Sequence, residues 1–401
     1  MTLEHTETLT TPRQRDYIFF ADDRSGIPTS SMHIADQLVR TNRVFWVTLY
    51  TRLPKFSVSE FGKVRRILTH RKSSAAVNQQ TAGQPIISAV PMQFPWFGKP
   101  GRIFNACCAV RFYKKFVREH NICNPVLITN FPCAADAFMA IRKTDPAAKQ
   151  IYYCVDDYTE YPGLCPKHWA NMEHDLFRTV DGAIFTSRYL QSVKKHPESL
   201  PDIYLPHGVD YHHFACAAAD SGTGNKMLQK LAALPKPVIG FFGTIDTWTD
   251  ISAIAYLAVR FPQCSFAVIA RSVVPLTIFD GISNIHLLGQ VPYAELPQYA
   301  RCFDAGLIPR VQNALTKAMN PLKLMEYYAA GLPVIATKLP DIADVPGPLY
   351  FAETHEEFGS RLDEILRSDL PLLRRQAREV AERNSWAVRA EQFADFAENR
   401  C

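Results

Sequence analysis

The sequence predicts an α/β protein built from two doubly wound, Rossmann-like domains. Three observations carry that prediction. A chain of 401 residues exceeds one small core and suits two domains. Short apolar runs alternate with stretches long enough for helices, the pattern of an open parallel sheet. Residues 320–337, NPLKLMEYYAAGLPVIAT, spell a helix, a sharp stop and a buried strand.

Taken in order, the first dozen residues are polar and Thr-rich and read as a disordered tail. Buried-strand runs at residues 17–21, 43–49, 125–129, 151–155, 182–186 and 203–205 then build a first domain over residues 1–214. Residues 215–236, rich in Ala, Gly, Ser and Lys, read as a linker leading into a short helix. A second alternation fills residues 237–380: strand 237–242, helix 251–261, strands 265–270 and 285–288, helix 294–301, strand 305–308 and the helix-strand unit at 320–337. The tail, residues 371–400, is helical in pattern, and Trp386, Phe393 and Phe396 give it an apolar stripe that must pack against a neighbour.

Composition narrows the class. With 47% hydrophobic and 21% charged residues the chain is ordinary for a globular protein, and no run approaches the ~18 apolar residues of a membrane-spanning helix. The net charge of +5 hides an asymmetry: residues 1–150 carry 21 Lys and Arg against 10 Asp and Glu, whereas residues 151–401 carry 23 against 29. Lys63, Arg65, Arg66, Arg71 and Lys72, then Arg102, Arg111, Lys114, Lys115 and Arg118, interleave with Phe94, Trp96, Phe97, Phe104, Phe112, Tyr113 and Phe116. Such a mixture suits an anionic membrane surface or a pyrophosphate-bearing lipid, a plain solvated face being the alternative. The basic charge accompanies no nucleic-acid-binding motif, so nucleic acid is not an expected partner. Ten cysteines show no CxxC pair and no His/Cys ligand spacing, and no secretory signal precedes them, which fits reduced thiols in a cytosol.

In open parallel sheets ligands sit beyond the carboxyl ends of strands, so the loops after strands hold the candidate site. In the 320–337 unit, Asn320 can cap the helix, Pro321 suits its first turn and Gly331 can close it in a left-handed conformation. The free N–H groups of a helix start favour an anion, and Lys323 adds a cation. Glu326, three residues on, would suit sugar hydroxyls, or the two side chains form an exposed ion pair. After strand 237–242, Gly243 and Thr244 offer a backbone approach to a diphosphate, or merely a tight turn. Asp156 and Asp157 follow strand 151–155, where one carboxylate could act as general base on a sugar hydroxyl, or the pair could cap the next helix. His207 lies in a polar loop at the end of the first domain, and Ser30, Ser31 and His33 sit in a plausible acceptor loop and the helix after it. The HxxxxHH run at residues 207–213 lacks a metal-ligand spacing, and neither a GxGxxG nor a Walker motif is present.

Together, HGVDYHHF ending the first domain, GFFGTIDTWTD opening the second and NPLKLMEYYAAGLPVIAT late in it resemble the GT-B glycosyltransferases, especially bacterial exopolysaccharide enzymes related to family 4. The order and spacing of these motifs match over residues 151–340. The resemblance implies a nucleotide-sugar donor, a UDP-sugar, held by the second domain, with Glu326 on the ribose and Gly243 and Thr244 near the diphosphate. It implies an acceptor, a polyprenyl-pyrophosphate-linked glycan, entering from the first domain, and residues 381–401 crossing back to that domain. It also implies a reaction without cofactor or bound metal, at the inner face of the cell membrane. The family's two glutamates eight positions apart are not both present, since Ala318 holds the earlier place. The arginine that often follows the glycine loop is also missing, which leaves Lys323, Arg271 or Arg310 to meet the leaving diphosphate. An inverting reaction would need a base, Asp157 first and Asp156 second; in a retaining one those carboxylates orient substrate. The rival readings are a sugar-nucleotide epimerase of the same architecture and a non-catalytic nucleotide-binding partner.

Overall fold

A computed structural model of the chain describes residues 15–24, 28–49, 85–91, 99–215 and 225–401. The disordered-tail expectation, the basic residues from Lys63 to Lys72, the aromatics Phe94, Trp96 and Phe97, and residues 216–224 of the linker lie outside the described residues.

Thirteen described strands form two parallel sheets. The first contains β1 (Asp16–Ala21), β2 (Arg43–Thr48), β3 (Ile87–Ala89), β4 (Val126–Thr129), β5 (Lys149–Cys154), β6 (Gly182–Phe185) and β7 (Asp202–Tyr204) in the order β3-β2-β1-β4-β5-β6-β7. The second contains β8 (Val238–Ile245), β9 (Ser265–Ser272), β10 (Ile285–Leu287), β11 (Ala305–Ile308), β12 (Val334–Thr337) and β13 (Leu349–Ala352) in the order β10-β9-β8-β11-β12-β13. Continuous apolar runs such as YIFF, VLIT and VIAT can be accommodated only where both faces of a strand are covered, and helices cover both faces of each sheet. In β1, Ile18 and Phe20 pack on one side with Phe138 and Leu127, while Tyr17 and Phe19 pack on the other with Trp46 and Ile128.

The sequence reading recovers most strands but not β3 or β13, and it stops β8 too early. Gly243, Thr244 and Ile245, expected in a loop, extend the strand, with Gly243 paired to Ala270 and Thr244 to Arg271.

The tail, expected to be helical, is divided by a break between helices Leu370–Arg383 and Trp386–Asp395. Helix Leu370–Arg383 lays Ala377 and Ala381 into the core of the second domain. The chain then breaks at Asn384 and Ser385, and helix Trp386–Asp395 buries Trp386, Ala390 and Phe393 in the core of the first, followed by Phe396. Gly208 explains how the crossing is made, because a Cβ there would lie 2.9 Å from the backbone nitrogen of Trp386. Val209 donates to the Asn384 carbonyl and accepts from Trp386 N–H, both at 3.0 Å, so the two crossings of the chain pair with each other.

Helix Lys99–Glu119 corrects one expectation about the basic half. Tyr113 and Phe116 are buried core residues, and Phe112 packs against them. Exposure is kept by Ile103 and Phe104 near the start of the helix and by Arg111, Lys114, Lys115 and Arg118 farther along it. No described helix is long and apolar enough to cross a membrane.

Candidate active site between the two sheets

Strand order reverses between β1 and β4 in the first sheet and between β8 and β11 in the second. Loops diverge at such switch points and leave crevices at the carboxyl ends of the strands. A cleft of about 470 Å³ joins the two crevices, within the range of small-ligand sites. Asp22 follows β1, Asn130 follows β4, and Asp156 stands two residues beyond β5; Arg310 faces them from beyond β11.

The second-domain wall is built for an anion. Helix Leu322–Ala329 starts at Pro321 with no side chain bonded to its first N–H groups, and Asn320, Pro321, Leu322 and Lys323 all line the cleft. Its open end leaves backbone donors and the positive end of the helix dipole toward the cavity. Lys323 lies across Gly243, whose φ is +134°, and a Cβ on Gly243 would fall 2.0 Å from the lysine Cε. The glycine therefore makes room for the cation. Burial and the neighbouring Arg310 pull the Lys323 ammonium down to about 7, while burial pushes the Glu326 carboxyl up to about 7 against the opposing pull of Lys323. Burial also lowers the Arg310 guanidinium to about 10. Tyr293 hydrogen-bonds Glu326.

The start of helix Ile251–Arg260, which follows β8, is already occupied. Asp250 caps it by accepting from Ala253 N–H at 3.1 Å and stands 3.0 Å from His355 Nε2. The Ser252 hydroxyl and His355 hold that carboxyl below the usual range despite burial. A second anion at this end would meet a carboxylate.

On the first-domain wall the two adjacent aspartates part company, and their order of candidacy reverses. Asp157 is held by Lys194 Nζ at 2.8 Å and by the Thr159 hydroxyl at 2.5 Å. Lys194 also bonds Glu173 at 2.7 Å. Though burial opposes it, these bonds hold the Asp157 carboxyl below its ordinary value, and the residue is a structural anchor. Asp156 lines the cleft, where burial raises its carboxyl to about 7 against a hydrogen bond from Tyr161. Such a value suits a group that exchanges hydrogen bonds with a sugar hydroxyl near neutral pH.

The other predicted residues fall in different places. His207 is buried with Nδ1 3.0 Å from the Ser30 hydroxyl, and Ser30, Ser31 and His207 line the cleft. Burial lowers His207 to about 3 and His33 to about 4, so both rings are neutral at physiological pH. His33 stacks on Trp386 at 4.9 Å and also meets Tyr293, so it serves the seam between the domains. Asn320 does not cap its helix; its amide reaches across to the Thr186 carbonyl at 3.1 Å. Arg271 is exposed at the end of β9 and Thr244 lies within β8; neither lines the cleft. Asn130, Tyr161 and Tyr293 were not singled out in the sequence. For Asn130 a signal existed, since it is the first residue beyond a strand beside the switch point.

Two facing doubly wound sheets with a returning terminal helix define the GT-B class of fold. Within that class, residues 236–368 match the family model described as "Glycosyl transferases group 1". A 151-residue segment is 28% identical to a putative teichuronic acid biosynthesis glycosyltransferase, TuaH, of Bacillus subtilis, and covers 37% of this chain and 37% of that protein's length. The fold is shared with Anabaena Alr3699/HepE, solved with UDP and glucose, at a TM-score of 0.65 and 14% identity over 95% of this chain and 99% of that one. It is shared also with WaaG, a glycosyltransferase involved in lipopolysaccharide biosynthesis, at a TM-score of 0.58 and 15% identity over 96% and 99% of the two chains.

Proposed function

We propose that the chain is a glycosyltransferase that moves a sugar from a nucleoside-diphosphate sugar, a UDP-sugar, to a lipid-linked glycan during synthesis of a cell-surface polysaccharide. One observation carries the reading: the uncapped start of helix Leu322–Ala329, with Lys323 and Arg310, faces Asp156 across a single cleft. The diphosphate lies at the helix start, where two cations and backbone N–H groups stabilise the charge that grows on the leaving group. Glu326, released from Tyr293, receives the ribose. Asp156 accepts a hydrogen bond from the attacking hydroxyl and orients it toward the anomeric carbon. Because protein groups meet the diphosphate charge, the reading needs no resident metal ion.

UDP in the HepE crystals supports a uridine donor, and the TuaH likeness supports a polysaccharide product. The exposed basic face of helix Lys99–Glu119, led by Ile103 and Phe104, supports work at an anionic membrane surface on its cytoplasmic side. A thermal-shift series against UDP, GDP, ADP and CMP tests the donor. At 100-fold its dissociation constant the true nucleotide stabilises by about 2.7 kcal/mol. Selective stabilisation by UDP, weakened in Glu326→Ala, is the expected result. Silence toward every nucleotide sinks the reading, and conversion of the donor to a second nucleotide sugar without an acceptor supports an epimerase instead.

A further inference from the structure

Tyr161, which lines the cleft, is a place where the two domains touch. It lies in the loop between β5 and helix Pro166–Phe177, outside any helix or strand, so what its side chain meets sets its position. The ring stacks on Tyr158 of its own domain at 5.7 Å. It also meets Trp248 of the second domain edge-on at 6.3 Å and 65°, within the range of a favourable aromatic pair. The phenol hydroxyl donates to Asp156.

Trp248 is fixed from its own side. Val311 N–H donates to its carbonyl at 3.1 Å, Asp250 N–H donates to the Pro309 carbonyl at 3.1 Å, and Thr249 pairs with Arg310 between them. The tryptophan is therefore tied to the segment that carries Arg310, a cation within electrostatic reach of Tyr161. Its ring is half-buried rather than part of a core, and Tyr161 is its sole ring partner among the described residues. The value of this side chain lies in the contact it makes with the other domain.

We propose that Tyr161 is the positioning residue of Asp156, and that Trp248 holds Tyr161 to that task from the second domain, so that Asp156 is set for the acceptor hydroxyl only when the two domains meet. The inference rests on the transferase reading for the use made of Asp156. An O–H bond to a carboxylate favours the ionised form, which is the form that accepts a hydrogen bond from the attacking hydroxyl. The other titratable or charged groups near Asp156 are Asp157, which is held by Lys194, and Tyr158, with Asp22, Arg310 and Lys323 lining the same cleft. Of these groups only Tyr161 hydrogen-bonds its carboxyl.

An NMR titration of the full chain, labelled with carbon-13 at the aspartate carboxyls, reads this without any acceptor; the Asp156 resonance is assigned by its loss in Asp156→Asn. Tyr161→Phe keeps the ring and removes the hydroxyl, and should raise the Asp156 midpoint by about one pH unit from its value near 7. Trp248→Leu leaves that hydroxyl in place and should still move the midpoint in the same direction, while Trp248→Phe should restore it. The double variant Tyr161→Phe/Trp248→Leu should titrate with Tyr161→Phe alone, because the tryptophan acts through the hydroxyl. Melting temperatures establish that the variants are folded. A midpoint unmoved by Tyr161→Phe overturns the proposal, as does one unmoved by Trp248→Leu, or a double variant in which the two shifts add. Thermal shifts with nucleotides on the same samples separate the two ideas: silence toward every nucleotide counts against the transferase reading, whereas UDP binding with an unmoved Asp156 midpoint counts against the positioning role alone.

Discussion

Asp156 and Asp157 are chemically identical neighbours with opposite roles, set by what each side chain meets. Asp157 meets Lys194 and Thr159, while Asp156 meets the cleft and Tyr161. Burial raises Asp156 from 3.8 to about 7, so the folded state holds a proton that the unfolded chain has released between those values. Folding is therefore penalised progressively as pH rises through that window. Asp156→Asn should raise the melting temperature at pH 8 by roughly 2 °C or more and leave it unchanged at pH 3. It should also abolish an acid limb in kcat/KM with a midpoint near pH 7, below which the protonated wild-type carboxyl no longer accepts the acceptor hydroxyl. A wild-type profile flat from pH 5 to 8 would remove Asp156 from the chemistry. The sequence reading expected one of two adjacent carboxylates to reach the cleft, since neighbours point apart, but it put Asp157 first and Asp156 second. That choice is made by Lys194, a cation 37 residues away whose position no local pattern reveals.

At the scale of elements, most of the two sheets was legible because a strand covered on both faces needs an unbroken apolar run. Strand β3 was missed because its three residues, ISA, carry almost no such signal. Gly243 was misread for a different reason: a glycine in a strand end looks like a glycine in a turn until Lys323 is seen lying over it. The returning helix gives the sharpest prediction here. Trp386 is 2% exposed and Phe393 fully buried against β1 and β5 residues. Trp386→Ala should cost about 3–5 kcal/mol, read by chemical denaturation, because the site is closed on every side and cannot collapse. Gly208→Ala, which adds one methyl against the Trp386 backbone, should also destabilise by at least about 1 kcal/mol. Unchanged stability in both would mean that the terminal helix is not docked as described.

Across the whole molecule, the two domains meet along a seam at the end of β6. Asn320 reaches the Thr186 carbonyl, and Asp341 bonds the Ser187 hydroxyl and, at 2.5 Å, the Arg188 N–H. Asp341 thus sits at the start of helix Arg188–Val193, where a carboxylate is favoured by the helix dipole. These bonds hold the Asp156 and Lys323 walls on either side of one cavity. Asp341→Ala should leave each domain folded but loosen the seam, giving a larger radius of gyration by solution scattering and a donor KM raised by roughly 3- to 10-fold, the loss of one or two charge-assisted bonds. An unaltered radius and KM would show that the paired chain crossings at Val209, Asn384 and Trp386 hold the two domains in place without it. None of these bonds was legible in the sequence: Asn320 reads as a local helix cap, and no local pattern links Asp341 to Arg188, 153 residues away.

The route of the chain also has a consequence for how the protein is made. Residues 15–49 supply strands β1 and β2 of the first sheet, but one face of that sheet is covered in part by Trp386, Phe393, Phe396 and Ala397. A ribosome has therefore built the whole second domain before the first can close its core. Through that interval an apolar face of the first domain stands open, and chaperones that bind such faces have their opportunity there.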